Sequence, residues 1–297
     1  MAGTKQILSR RKAINNICRI TRTMEMISTA RYKYYHKQWT SVIDYHNALA
    51  QAAYPFVSSG KTIDHPVLKE NSSGRTALLA IGSTRGFCGS YNTAVYRLVE
   101  IMSNVANAAG KTMDIYTPDR KLVGILEHHG IKPAKIYKDF GEVPTESQIS
   151  EVADGFIDEY IAGRIDYFGI VYTRFFSATS QQAQILAVLP LADLIDDMAT
   201  RTTVLWPWET TLEDFYLSPS ASEVIDGLSH MIVRSAVRSS FVEAALSEHL
   251  ARMMAMRTAT DNAETAIKDL TIDYNRARQS QITGELLDII GGTGDLG

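Results

Sequence analysis

The chain has 297 residues, of which 45% are hydrophobic and 21% charged, and its net charge at pH 7 is −3. This length and composition are typical of a globular protein with one large domain or two ordinary ones, and the charge gives no nucleic-acid signature. Cys18 and Cys88 form no CxxC pair, which favours a reduced compartment without a metal site. No segment reads as a signal peptide, a transit peptide or a membrane span, so we expect any membrane link to run through a partner.

Residues 4–54 predict a long helix, because they contain neither proline nor glycine and their apolar and small residues recur with heptad spacing. Pro55 is expected to end this helix. The predicted seam positions are Ile7, Ile14, Ile17, Thr21, Met24, Ser28, Tyr35, Val42 and Leu49, with Ile20 and Ile27 widening the stripe.

In the middle of the chain, short apolar runs alternate with helical periods, which favours an α/β layer domain with a largely parallel sheet. The predicted strands are residues 76–81, 113–116, 134–137, 167–172 and 184–189, with residues 204–206 as a further edge strand. The predicted domains are an N-terminal coiled-coil helix at 1–57, an inserted α/β domain at 58–207 and a C-terminal coiled-coil helix at 208–297.

Residues 220–290 predict a second, longer helix, because no proline follows Pro219. At the usual rise it would be roughly 100 Å long, too long to bury itself against one compact core. We therefore predict an α/β fold in which the terminal helices form a long antiparallel coiled coil and enclose a Rossmann-like insert. The predicted seam is Ile225, Leu228, Ile232, Ser235, Val242, Leu246, Met253, Met256, Ala263, Ile267, Leu270, Tyr274 and Ala277.

A glycine-rich turn at residues 82–89 (GSTRGFCG) follows the first predicted strand and precedes a helix. Such turns can bind phosphate, but this one matches neither GxGxxG nor the lysine-containing P-loop pattern. We expect a tight turn with positive φ there, and a packed thiol at Cys88. The histidines lack ligand spacing, so no catalytic, cofactor or metal site is predicted. His249, on the second seam, is either a buried group that sets the register or a satisfied core histidine.

Charge placement indicates partners. The first helix is basic, which is explained either by a solvated face or by docking to an acidic partner surface. Residues 275–281 (NRARQSQ) interrupt the apolar seam with polar groups, which suggests a contact other than the first helix, since arginine can hold a carboxylate. The basic residues of the first helix are Lys5, Arg10, Arg11, Lys12, Arg19, Arg22, Arg31, Lys33 and Lys37.

Six motifs lie along the chain, namely ITRTMEM at 20–26, STRGFCG at 83–89, YTRF at 172–175, SEHLARMMAM at 247–256, ATDNA at 259–263 and YNRARQ at 274–279. Together they resemble, from end to end, the gamma-subunit family of F-type ATP synthases. The resemblance implies a rotor shaft inside a ring of alpha and beta subunits, with the epsilon and delta subunits and the c-ring as further partners. It also implies a non-enzymatic chain without a cofactor, at the cytoplasmic face of the bacterial inner membrane.

The resemblance also implies partner contacts. Arg278 and Gln279 match a polar pair that contacts a loop of a catalytic beta subunit, and Met24 matches a methionine that faces an acidic segment of the beta subunits. Arg252, Thr283 and Glu285 match neighbours in that shaft region. The chain departs from the family pattern at Arg22, Thr23 and Thr84, where lysine, alanine and aspartate are usual. A nucleotide-binding α/β enzyme with helical arms and a coiled-coil scaffold unrelated to rotation are the alternatives.

Overall fold

A computed structural model of the chain describes residues 2–58, 65–195, 216–218 and 220–293. The predicted strand at 204–206 lies outside the described residues. The helices are α1 (Ala2–Ser58), α2 (Tyr91–Ala108), α3 (Arg120–His128), α4 (Glu146–Ile161) and α5 (Ala221–Thr293), with a 3-10 turn at Pro66–Leu68 and a helical stretch at 191–195. The strands are β1 (Arg75–Ala80), β2 (Thr112–Thr117), β3 (Lys135–Ile136), β4 (Tyr167–Ser177) and β5 (Ser180–Leu189).

The five strands form one sheet in the order β3-β2-β1-β4-β5. The β1–β2, β1–β4 and β2–β3 pairs are parallel, and β4 and β5 form an antiparallel hairpin. All five predicted strands in the described residues are therefore present, and the largely parallel sheet is confirmed.

Both faces of the sheet are covered by helices. Consecutive residues of β1 point to opposite faces and so pack into two different cores. Leu78 and Ala80 pack with residues of α2 and α3. Ala77 and Leu79 belong to a larger core that includes α4, the C-terminal end of α1 and the N-terminal half of α5. This arrangement is the predicted Rossmann-like layer structure.

Tertiary contacts divide the chain into two compact units, residues 1–30 with 252–297 and residues 31–251, and α1 and α5 contribute residues to both. The predicted domain boundaries describe a different division. One of them, between residues 207 and 208, lies outside the described residues, so that division remains a prediction.

Within the unit of residues 1–30 and 252–297, α1 and α5 run antiparallel. Thr21 lies opposite Thr260, with 2.8 Å between their hydroxyl oxygens, and Arg22 forms an ion pair with Glu264. Further along, the guanidinium carbon of Arg11 lies 5.5 Å from the ring centroid of Tyr274. Residue numbers thus rise along α1 as they fall along α5, which confirms the predicted pairing of the terminal helices.

The seam itself differs from the prediction at three isoleucines. Ile17, Ile20 and Ile27 are 51%, 60% and 55% exposed, whereas Cys18 and Ser28 are buried. The alternation of four and three steps that passes through residues 14, 18, 21 and 28 places all three isoleucines on its flanks. Apolar side-chain type, rather than position in the heptad, was the misleading signal.

Pro55 does not end α1. The helix continues for three residues to Ser58, and Pro55 lies in its last turn. Only one backbone hydrogen bond is lost there, and Ala53 and Phe56 on either side are buried in the core of residues 31–251. Burial of the helix end outweighs the local cost of the proline.

Candidate functional site

The glycine-rich loop after β1 uses its backbone amides within the domain. The Gly82 amide donates to Asp119 Oδ2 and the Ser83 amide donates to Asn92 Oδ1, both at 2.8 Å. Asn92 Nδ2 in turn donates to Ser83 Oγ at 2.7 Å. The amides that a phosphate would need at the start of the loop are therefore already satisfied. Gly89 has φ +62°, as expected for a tight turn, and Phe87 shares this conformation with φ 64°.

The ligand-binding edge of this sheet is covered by α5. The chain runs from β1 to β2 and β3 on one side and then returns to β4 on the other side of β1, and ligands of open α/β sheets usually bind at such a switch point. Here Tyr91, at the start of α2, donates from its hydroxyl to the carbonyl of Ala244 in α5 at 2.9 Å. Every residue from 239 to 250 is buried. The chain's own helix thus lies where a nucleotide would be expected.

Asp119 anchors the loop from below. It is 5% exposed, and burial raises its pKa to about 6 although the Gly82 amide favours the charged form. It precedes α3 but makes no side-chain cap there. Its carboxylate therefore serves the loop rather than the helix.

A second polar cluster surrounds Glu142, in the loop between β3 and α4. Its Oε2 accepts from the Tyr35 hydroxyl of α1 at 2.8 Å and lies 3.1 Å from His249 Nε2 of α5. Arg31 NH1 is 4.0 Å from the same oxygen. The hydrogen bond from His249 is the largest cause that lowers the pKa of Glu142 to about 2. Of the two interpretations offered for His249, this contact makes it a satisfied buried histidine.

Further contacts join α4 and β4 to the long helices within residues 31–251. Arg234 of α5 pairs with both carboxylate oxygens of Asp154 in α4, at 2.9 and 2.5 Å. Phe175 of β4 packs against α1, with its ring centroid 5.3 Å from that of Trp39 and 5.9 Å from that of His36. Sequence reasoning missed Glu142 and Phe175 as anchors, because neither belongs to a spacing pattern with its partners.

The comparisons with known proteins agree along the whole chain. The family model described as ATP synthase matches residues 3–296. The ATP synthase gamma chain of Rhodopirellula baltica is 34% identical over 98% of this chain and 98% of its own length. The gamma chains of Methylobacillus flagellatus and Leptothrix cholodnii are 31% and 30% identical over 98% and 100% of this chain, and over 99% and 100% of their own lengths. The chain belongs to the ATP synthase gamma chain family.

Solved structures give the same fold for this family member. A chain of the Euglena gracilis mitochondrial ATP synthase rotor matches with a TM-score of 0.64 at 18% identity, over 95% of this chain and 99% of that one. A chain of the OSCP/F1/c-ring structure of the same enzyme matches with a TM-score of 0.66 at 18% identity, over 99% and 95%. Gamma chains are non-catalytic subunits, so the prediction of a non-enzymatic chain agrees with the family.

The predicted partner-contact residues fall into two groups in this gamma-chain family member. Arg278, Gln279, Thr283 and Glu285 are exposed along one stretch of α5. Met24 of α1 is partly buried, and Arg252 is only 4% exposed, which leaves little of its surface for a partner. Their contacts remain predictions. Exposed apolar side chains accompany the first group, namely Ile272, Ile282, Leu286 and Leu287.

The structure can be searched for a metal site, a membrane-spanning helix and a disulfide in the residues that it describes. Among these, no group of three or more histidine, cysteine or acidic side chains could hold a metal ion. None of the helices in the described ranges has an apolar window long enough to cross a membrane. Both cysteines are buried and unbridged.

Proposed function

We propose that the chain is the central-stalk rotor subunit of an F-type ATP synthase. It would couple ion flow through the c-ring to the conformational cycle of the catalytic beta subunits, in ATP synthesis or hydrolysis. The observation that carries this proposal is the match to ATP synthase gamma chains over nearly the whole length of both chains. The antiparallel pairing of α1 and α5 supports it, because a shaft needs two helices that stiffen each other.

The proposed mechanism requires a surface that differs around the shaft. A partner can shift a conformational equilibrium only through the difference in its contact energy with the two states. On α1 the exposed surface combines basic residues with Ile20 and Ile27, whereas exposed α5 carries Arg278, Gln279 and leucines. As the shaft turns, each beta subunit would meet these surfaces in succession, and each surface would favour a different state.

We also propose the partner contacts implied by the family motifs. Arg278 and Gln279 would contact a loop of one beta subunit, with Thr283 and Glu285 beside them, and the exposure of all four supports this assignment. Met24 would face an acidic segment of the beta subunits. Arg252 belongs to the same motif region, but its burial points to a role within the helices.

We propose further that the complex lies at the cytoplasmic face of a bacterial inner membrane, which the chain would reach only through partner subunits. The proposed partners at that end are the epsilon subunit and the c-ring, and the delta subunit is a further proposed partner. The bacterial gamma chains among its relatives support this location. Protection of the chain from protease in sealed right-side-out vesicles, and loss of this protection in inverted vesicles, would test the location.

The predicted division of the chain into residues 1–57, 58–207 and 208–297 is likewise proposed.

Co-purification tests the function most simply. The tagged chain would be co-expressed with the alpha, beta and epsilon subunits from the same organism. We expect a stable complex that hydrolyses ATP and contains all four subunits. A stable monomer that recovers none of these partners would contradict the proposal, and tight nucleotide binding by the monomer would favour the enzyme alternative.

A further inference from the structure

We propose that Glu142 is a positioning residue for torque transfer, because its carboxylate fastens both long helices to the α/β layers at one point. This inference rests on the rotor function proposed above. It concerns a half-buried cluster in the unit formed by residues 31–251, where α1 and α5 meet the loop between β3 and α4.

One oxygen atom makes this junction. Glu142 Oε2 accepts from the Tyr35 hydroxyl at 2.8 Å and pairs with His249 Nε2 at 3.1 Å. Tyr35 belongs to α1 and His249 to α5, and each lies 107 positions away from Glu142 in the sequence. The two rings also stack on each other, with 5.6 Å between centroids and an interplanar angle of 10°. The carboxylate thus contacts both helices where they contact one another.

The loop that carries Glu142 is itself fixed. Thr145 caps α4 in a capping box with Gln148, whose backbone amide donates to the Thr145 hydroxyl at 3.4 Å. The Gln148 side chain also donates to the carbonyl of Asp139 at 3.3 Å, which closes the loop on both sides of Glu142. When the long helices move relative to the α/β layers, the Glu142 carboxylate therefore stays with the α/β layers.

The contacts of Glu142 are directional. A charge-assisted hydrogen bond weakens when its atoms move sideways. The low pKa of Glu142 keeps its carboxylate charged at physiological pH. The Asp154–Arg234 pair, by comparison, joins α4 to only one of the two long helices, α5. A twist of the helix pair against the sheet would load the Glu142 contacts on both helices at once.

Torsional stiffness in the assembled complex tests the proposal. The ring would be fixed to a surface, and a gold particle would be attached to a cysteine introduced at exposed Lys132, because Cys18 and Cys88 are buried. The angular variance of the particle during pauses reports the stiffness. We expect Glu142→Ala to increase this variance by at least about twofold, since a charge-assisted contact to both helices is lost. Asp139→Asn, which removes an exposed charge from the same loop, should leave it unchanged.

Tyr35→Phe provides a second variant if Glu142→Ala fails to assemble. It removes only the hydroxyl that donates to Glu142 and keeps the ring that stacks on His249. We expect a smaller increase in variance, and no further increase when it is combined with Glu142→Ala, because both changes break the same junction.

Unchanged variance in both single variants, or additive effects in the double variant, would overturn the proposal for Glu142. Such results would leave the rotor function standing, provided that the particle on the unmodified chain still rotates with ATP. A particle that stays still on the unmodified chain would instead contradict the rotor function itself.

Discussion

Gly82 shows how closely the loop after β1 packs against its neighbours. A Cβ atom at this position would lie 2.8 Å from both Asn92 Oδ1 and Leu122 Cβ, and both residues are buried. We expect Gly82→Ala to lower the free energy of unfolding by roughly 1–3 kcal/mol, the usual cost of an overpacked core. Urea unfolding of the chain, followed by circular dichroism, measures this change.

The control for this substitution lies in the same loop. A Cβ at Gly86 would meet nothing within 4 Å, so Gly86→Ala should leave the unfolding midpoint nearly unchanged. Equal midpoints for the two variants would mean that the close packing at Gly82 relaxes without cost.

Asp119 should make the stability of the chain depend on pH with an unusual sign. Its pKa is about 6 in the folded state and about 3.9 in an unfolded chain, so the folded state retains the proton longer. The contribution of Asp119 to stability is therefore highest below about pH 4, falls as pH rises through 6, and is constant above that range. A shift of about two pKa units corresponds to a loss of roughly 3 kcal/mol.

Asp119→Asn should remove this slope, because an asparagine oxygen can still accept from the Gly82 amide without becoming charged. Urea unfolding at pH 4 and pH 7 gives the free energy of unfolding of both proteins. The value for the variant, relative to that of the original chain, should be higher at pH 7 than at pH 4. Asp139→Asn serves as the exposed control. Parallel pH profiles for the Asp119 variant and the original chain would contradict the raised pKa.

At the scale of elements, the strands were predictable because glycine and polar turns bound short apolar runs. The face of a long helix was harder to predict. Residues 239–250 of α5 were expected to show a coiled-coil seam but are buried all round. The start of α2 and the loop before α4 contact them as well as α1 does. Ala244 and Ala245 are small enough for this close packing, but the heptad pattern does not distinguish one neighbour from two.

The seam between α1 and α5 contains a buried pair of threonines. The hydroxyls of Thr21 and Thr260 lie 2.8 Å apart, and each also lies close to a backbone carbonyl of its own helix. Thr21→Val should lower the free energy of unfolding by about 1 kcal/mol, because Thr260 loses its partner across the seam. Replacing both by valine should be nearly neutral, since two apolar side chains of similar shape then take the place of the polar pair.

Thermal unfolding followed by the helical circular dichroism signal compares these variants. Thr23→Val, at an exposed position of the same helix, controls for the change in helix propensity. A double variant that is less stable than either single variant would contradict this account of the threonine pair.

Arg278 is the exposed residue of α5 on which the proposed contact between this helix and the ring depends most. Arg278→Ala should weaken association with the ring roughly tenfold, as expected when a hydrogen bond to a charged group worth about 1.5 kcal/mol is lost. Lys268→Ala, at another exposed position of the same helix, is the matched control. ATP-driven proton pumping and complex recovery are measured for both. Normal assembly and pumping with Arg278→Ala would count against the assigned contact.

At the scale of the whole molecule, the sequence allowed the pairing of the terminal helices and the inserted sheet to be predicted, because both depend on long periodic patterns. The family resemblance, rather than any pattern, led to the proposal of rotation. The Glu142 junction could not be predicted, since its partners Tyr35 and His249 are each 107 positions away and only the folded chain brings them together. The covering of the sheet edge by α5 could not be predicted for the same reason, since Tyr91 and Ala244 are far apart in the sequence.

The rotor function predicts that the chain turns inside its complex. A particle attached to this chain in a surface-fixed complex should rotate in one direction when ATP is added, with one pause for each catalytic beta subunit in every turn. A complex that hydrolyses ATP while the particle remains stationary would contradict the account.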